Sequence, residues 1–246
     1  MKTEIIDKIT SNSREGKKAF AILLDPDKID SLQAIELAKS IESTNVNYVL
    51  IGGSLMMQPD TSSFLNTIKQ HTSKPLILFP GSPMQINQQA DAILFLSLIS
   101  GRNPEMLIGS HVVSAPILKK SAIEVIPTGY MLIESGNITS VLYMSQTLPI
   151  PRNKPDIAMS TALAGELLGM KLIYMDAGSG AEQSVPLNMI KRVKEAIDIP
   201  LIVGGGVKTA EQIKEIYNAG ADIVVVGNIL EKQPWLLKGF TDRNNL

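Results

Sequence analysis

The chain has 246 residues, of which 44% are hydrophobic, 4% aromatic and 19% charged, so it can bury a large core, and that core must be mostly Ile, Leu, Val, Ala and Met. Formal net charge is -1 and no run of five or more Lys or Arg occurs, which removes the electrostatic footprint of a nucleic-acid partner. Cysteine is absent, excluding disulfides, thiolate nucleophiles and cysteine metal sites and matching a cytoplasmic location, while no apolar stretch reaches the roughly 18 residues of a transmembrane segment.

In chain order, short runs rich in β-branched residues predict strands at Ala19 to Leu24, Tyr48 to Ile51, Leu76 to Phe79, Ala92 to Leu96, Glu124 to Ile133, Leu172 to Met175, Leu201 to Val203 and Ile223 to Val226. Helical spacing alternates with them: Ser31 to Ser43 after an Asp30 cap, Thr61 to Gln70 after Asp60, Pro155 to Leu168, Pro186 to Ala196, and Ala210 to Ala219 closed by Gly220. The opening MKTEIIDKIT is charged and lacks the apolar core of a leader peptide. After Phe79 the stretch GSPMQINQQAD is short enough to be little more than a turn, and ESGNITSVLYMSQTLPIPRNKPD is too long for an ordinary loop. With Val141, Leu142, Tyr143 and Met144 it is too apolar for a free linker and reads as a lid. The expected fold is one (β/α)8 TIM barrel over residues 1–246, with an irregular third βα unit and a lid-like insertion after strand five.

In such a barrel the loops after the strands build the active site, and phosphate docks after strands seven and eight. Strand seven ends in Gly204, Gly205 and Gly206, and strand eight in Gly227 and Asn228. Glycine lets backbone N–H groups approach an anion, and two such loops in succession point to a phosphate ester rather than to turns alone. Strand six ends YMDAGSGA, with Tyr174 and Asp176 on one face. They read equally as a hydroxyl-binding pair and as a buried tyrosine beside a capping aspartate. The first strand ends LLDPDK and the second LIGGS; Asp25 and Ser54 could complete a Mg2+ shell with waters, but D-P-D is also an ordinary turn. His71 and His111 are neither paired nor at strand ends, so surface or capping roles are expected. Of eleven methionines, Met131 and Met144 are placed to touch an apolar ligand near the lid.

The sequence resembles the geranylgeranylglyceryl phosphate synthase family, which includes the heptaprenylglyceryl phosphate synthases. LLDPDK, IGGS, FPGS, SLISGRNPEMLIGSH, IPTGY, PIPRNKPD, YMDAGSGA, VGGGVKTAEQ and VGN carry the resemblance over nearly the whole chain. It implies a prenyltransferase of lipid biosynthesis that joins a prenyl diphosphate to sn-glycerol 1-phosphate through an ether bond, with geranylgeranyl the expected donor and heptaprenyl the rival. It further implies Mg2+ as cofactor on Asp25 and Ser54, and acceptor binding on Tyr174, Met175, Asp176, Ala177, Gly178, Ser179, Gly180, Gly205, Gly206, Gly227 and Asn228. Asp25 and Asp176 are then the catalytic carboxylates, although the family commonly has glutamate where this chain has Asp176. Ser82, Asn103, Arg152 and Lys154 are further candidates for the diphosphate. A homo-oligomer, a dimer or hexamer of dimers, and transient contact with a membrane surface are also expected. Two other readings remain open on the residues: a sugar-phosphate isomerase or lyase using Asp25 and Asp176 as acid and base, and a lipid-phosphate binder that turns nothing over.

Overall fold

The structure is a computed structural model that describes residues 2–57 and 61–242. Eight parallel strands, β1 (Ala19–Leu24), β2 (Val46–Ile51), β3 (Leu76–Leu78), β4 (Ala92–Leu98), β5 (Glu124–Leu132), β6 (Leu172–Asp176), β7 (Leu201–Gly204) and β8 (Ile223–Val226), follow one another around a closed barrel. Ala19 to Ile22 of β1 pair in register with Ile223 to Val226 of β8 and close it. These strands are buried on both faces, which is why they read as continuous aliphatic runs. Their side chains still alternate: in β6, Leu172 and Tyr174 join the cluster filling the barrel, whereas Ile173 and Met175 pack outward under the helices.

The helices are α1 (Glu4–Arg14), α2 (Ser31–Glu42), α3 (Ser62–His71), α4 (Ser110–Lys120), α5 (Ser140–Ser145), α6 (Pro155–Leu167), α7 (Leu187–Lys194), α8 (Ala210–Asn218), α9 (Asn228–Lys232) and α10 (Leu237–Phe240). Asp30 caps α2 as expected, accepting from the amides of Leu32 and Gln33 while Gln33 accepts from the Asp30 amide. Asp60 lies outside the described residues, and Thr61 occupies the position before α3.

Two of the longer helices were not legible beforehand. The opening segment forms α1, which inserts Ile6 and Ile9 into the cluster that fills the barrel. The buried Glu124 carboxylate, at the start of β5, accepts from the amides of Ile5 and Ile6 at 2.8 Å each. This negative charge at a helix N-terminus fixes α1 across the N-terminal mouth. The second is α4, entered through a single π-helical turn at Glu105–Gly109 and carrying Pro116 inside it. Polar residues on its buried face and apolar ones on its exposed face obscure its amphipathic pattern.

The third βα unit is irregular, as expected: after β3 the chain makes only a 3-10 turn at Pro83–Gln85 before β4. The outer face of β4 therefore lacks one of the helices that would flank it, and Ile93 and Phe95 open onto a groove bounded by α4. The insertion after β5 is an ordered cover. Ile133 pairs with Ile150, α5 lays Val141 and Leu142 on the barrel-filling cluster, and Asn103 Nδ2 donates to the Ser145 carbonyl at 2.8 Å.

Candidate functional site

A cavity of about 880 Å3 occupies the C-terminal mouth and continues over β4 into the groove left by the third unit. This is a typical size for a small-molecule site. One end is a cradle of loops. Gly205 and Gly206 follow β7 with φ of +81° and +68°, and a Cβ on Gly205 would lie 2.6 Å from Asp176 Oδ1 and from the Gly178 amide nitrogen. The loops after β6 and β7 are thus packed backbone to backbone, an approach that glycine alone permits. Ser179 Oγ donates to Asn228 Oδ1 at 3.0 Å and ties the loop after β6 to the one after β8.

The floor is a cluster around Asp176. Its Oδ1 accepts from the Gly178 amide at 2.7 Å and its Oδ2 from the Tyr130 hydroxyl at 2.6 Å. The β5–β6 register sets Tyr130 beside Tyr174, and Phe79 stacks on Tyr174 with ring centroids 5.1 Å apart. Burial raises the Asp176 carboxyl above its ordinary range, against the Tyr130 hydroxyl and the Gly178 amide, which both favour its charged form. Burial, and then the Asp176 charge, push the Tyr130 phenol well up. Asp176 is therefore both a turn-forming aspartate and a polarised group at the cavity floor.

The opposite wall carries Asp25. Its Oδ2 is 2.7 Å from Lys28 Nζ, and its backbone amide donates to Glu231 Oε1 at 3.2 Å. A Cβ on Gly53 would stand 3.2 Å from Asp25 Oδ2, so the loop that presents Ser54 lies directly against this carboxylate. Asp25, Ser54, Lys28 and Glu231 all line the cavity. The groove beyond is mainly apolar, walled by Ile86, Ile93, Phe95 and Met106 and roofed by Val141 and Met144.

Most of the residues expected in the site meet at this cavity: Asp25, Ser54, Tyr174, Asp176, Gly178, Ser179, Gly180, Gly205, Gly206, Gly227 and Asn228. Met175 and Ala177 do not, because strand alternation turns their side chains into the outer core, and the Ala177 amide donates to the Gly204 carbonyl. Among the diphosphate candidates Ser82 lines the cavity. Arg152 instead donates to the carbonyls of Glu134 and Ser184, Asn103 holds the lid, and Lys154 precedes α6 away from the cavity. Met144 faces the groove, but Met131 is fully buried in the outer core. His71 does close α3, with Nδ1 at 2.9 Å from the Thr67 carbonyl oxygen. His111 departs from the surface role expected of it: it is buried in the groove wall, edge-on to Phe95 at 4.3 Å, and burial lowers its pKa. Tyr130, Lys28 and Glu231 were missed as site residues. Tyr130 and Lys28 sit inside motifs already noted, IPTGY and LLDPDK, but nothing in the sequence marks Glu231.

A closed (β/α)8 barrel with glycine loops after β7 and β8 and a polar floor at the end of β6 defines a phosphate-binding barrel enzyme. Known proteins that it resembles place it more narrowly. The (S)-3-O-geranylgeranylglyceryl phosphate synthase of Thermoplasma acidophilum, solved in complex with its substrate sn-glycerol-1-phosphate, is 32% identical, with a TM-score of 0.92 over 98% of this chain and 97% of that one. A geranylgeranylglyceryl phosphate synthase of Spirosoma linguale is 51% identical over 90% of this chain and 89% of its own length. That of Chitinophaga pinensis is 48% identical over 98% and 96%. The PcrB family model matches residues 12–242, and the chain belongs to this family of prenyltransferases.

Proposed function

We propose that this chain joins sn-glycerol 1-phosphate to geranylgeranyl diphosphate with Mg2+ as cofactor, an activity carried by one observation: a single cavity runs from a glycine-lined cradle, past an acidic corner, into an apolar groove. The cradle suits the acceptor's phosphate and the groove suits a prenyl tail. A carboxylate and a hydroxyl, Asp25 and Ser54, are hard oxygen donors of the kind Mg2+ takes when substrate phosphates complete its shell. Among the described residues no group of three His, Cys, Asp or Glu could hold a metal, so substrate oxygens would have to contribute. When bound, the ion would neutralise charge developing on the leaving diphosphate.

The chain's own groups supply the rest. The cradle turns the acceptor's free hydroxyl toward the donor's first carbon, where a C–O bond forms as the bond to the bridging diphosphate oxygen breaks. The hydroxyl proton passes to the Asp176 carboxylate, whose second oxygen is steadied by Tyr130. Aspartate is one methylene shorter than the glutamate common in the family, so this transfer needs a close approach of the acceptor to the cavity floor. Aromatic rings at the floor and the cover formed by α5 keep water from competing for the prenyl carbon. Because the hydroxyl attacks an allylic centre already losing its leaving group, no strong nucleophile is needed.

The test is to assay sn-glycerol 1-phosphate with prenyl diphosphates of increasing length, in EDTA and then with added Mg2+. Ether product that depends on Mg2+ and is greatest with the geranylgeranyl donor is the expected result. A heptaprenyl optimum would replace the donor assignment, and full turnover in EDTA would remove the metal.

A further inference from the structure

We propose that Lys28 is the resident counter-cation of the Asp25 and Glu231 pair, and that it leaves them for the donor diphosphate, so that divalent metal and donor bind as a coupled pair. The proposal rests on the assignment of Asp25 as the metal carboxylate. Asp25 and Glu231 have side chains only 12% and 7% exposed, and Glu231 reaches from α9 to accept the Asp25 amide. Two carboxylates in such a corner require a cation, because their mutual repulsion is poorly screened there. Lys28 supplies it, with Nζ 2.7 Å from Asp25 Oδ2 and 3.9 Å from Glu231 Oε2.

Unlike the acids it neutralises, the Lys28 side chain is about half exposed, at 48%, and lines the cavity. A flexible four-carbon stem lets an ammonium pivot between anions without moving the backbone. A divalent ion arriving alone has to compete with Lys28 for the same Asp25 oxygen. Arriving with diphosphate, it displaces an ammonium that gains a new anion at once. Metal and diphosphate therefore each strengthen binding of the other, and the coupling has the same size in either direction. A lysine with a merely structural role would weaken metal binding, or leave it alone, when removed. A competing counter-cation has the opposite signature.

The experiment is a thermal-shift titration of the full chain with free Mg2+, with and without inorganic diphosphate. The proteins are wild type, Lys28→Met, Lys28→Gln, Lys28→Arg and the Lys28→Met/Asp25→Asn double variant. Wild type should need at least about tenfold more Mg2+ in the absence of diphosphate than in its presence. Lys28→Met should bind Mg2+ alone about tenfold more tightly than wild type, a change of about 1.4 kcal/mol, and gain about tenfold less from diphosphate than wild type does, the remaining gain coming from diphosphate oxygens on the ion itself. Lys28→Gln should match it, which keeps the test open if the methionine variant folds poorly, and Lys28→Arg should restore wild-type behaviour. Equal Mg2+ affinity in wild type and the neutral variants, with the response still lost in the double variant, would overturn the role of Lys28 while leaving the metal on Asp25. A Mg2+ response that survives in the double variant would instead overturn the metal assignment on which the proposal stands.

Discussion

Replacing Gly205 by alanine tests the acceptor cradle most directly, because its cost divides into parts that can be measured apart. Gly205 has φ of +81°, where an L side chain is disfavoured by roughly 1–2 kcal/mol. Its Cβ would also lie 2.6 Å from Asp176 Oδ1, 2.6 Å from the Gly178 amide nitrogen and 2.8 Å from the Ala177 amide nitrogen. All are held by the barrel, so the loops after β6 and β7 must separate, and overpacking of this kind adds about 1–3 kcal/mol. Gly169 is an internal control: its φ of +93° carries the same backbone penalty, but nothing stands within 4 Å of its Cβ. Gly169→Ala should lower Tm by a few degrees and leave both KM values alone. Gly205→Ala should lower Tm further, at about 2–4 °C per kcal/mol for a chain of this size. It should also raise the KM for sn-glycerol 1-phosphate by about tenfold or more, the loss of one hydrogen bond to a charged group, with a smaller effect on the donor. Thermal melts and initial rates with each substrate varied in turn give both quantities. An unchanged acceptor KM in a folded Gly205→Ala protein, or a melt no lower than that of Gly169→Ala, would refute the packed cradle.

Asp25→Asn keeps the shape of the wall and removes its charge; kcat should fall by a factor corresponding to about 3–4 kcal/mol, with acceptor binding retained, and Ser54→Ala should be milder because water can replace a hydroxyl ligand. Tyr130→Phe removes a hydrogen bond that favours ionised Asp176, so the acid limb of the pH–rate profile should move to higher pH; an unmoved limb would separate Asp176 from the rate. Asp176 itself has a raised pKa in the fold, so its ionisation reduces stability as pH climbs from the usual carboxylate range through that raised value. Asp176→Asn should therefore lower kcat yet raise Tm at neutral pH, with the gain shrinking as the pH is lowered, and a lower Tm at neutral pH would contradict the buried charge. Along the groove each buried methylene contributes roughly 0.8 kcal/mol, so a five-carbon donor should turn over far more slowly at equal concentration than a geranylgeranyl one, and equal turnover would show that the groove is unused.

The barrel was legible because its strands are buried on both faces and its loops punctuate them with Gly, Pro and Asp. That local code spaced eight β-rich runs and placed Gly205, Gly206 and Gly227 where such barrels hold phosphate. Local signals failed where structure depends on partners distant in sequence. Helix α1 is decided by Glu124, more than a hundred residues away, whose carboxylate receives its first amides. Helix α4 turns Ser110, His111 and Ser114 toward the cavity, an arrangement with no hydrophobic periodicity to announce it.

The same division runs through the site. Strand alternation alone put Tyr174 and Asp176 on one face, and chain order alone made the ends of β1 and β2 neighbours, bringing Asp25 near Ser54. The β5–β6 register brought Tyr130 to Asp176, 46 residues on, and closure of the barrel through the contact of β8 with β1 brought Glu231 to the Asp25 amide across 206 residues. Arg152, a plausible anion ligand by residue type, was instead taken by two carbonyls of its own lid and the loop before α7. Residue chemistry and spacing thus determined which elements form and which groups are able to react, since both depend on near neighbours along the chain. Which of those groups share a cavity, and which are consumed in holding it shut, depended on contacts between distant segments and was decided by the tertiary structure.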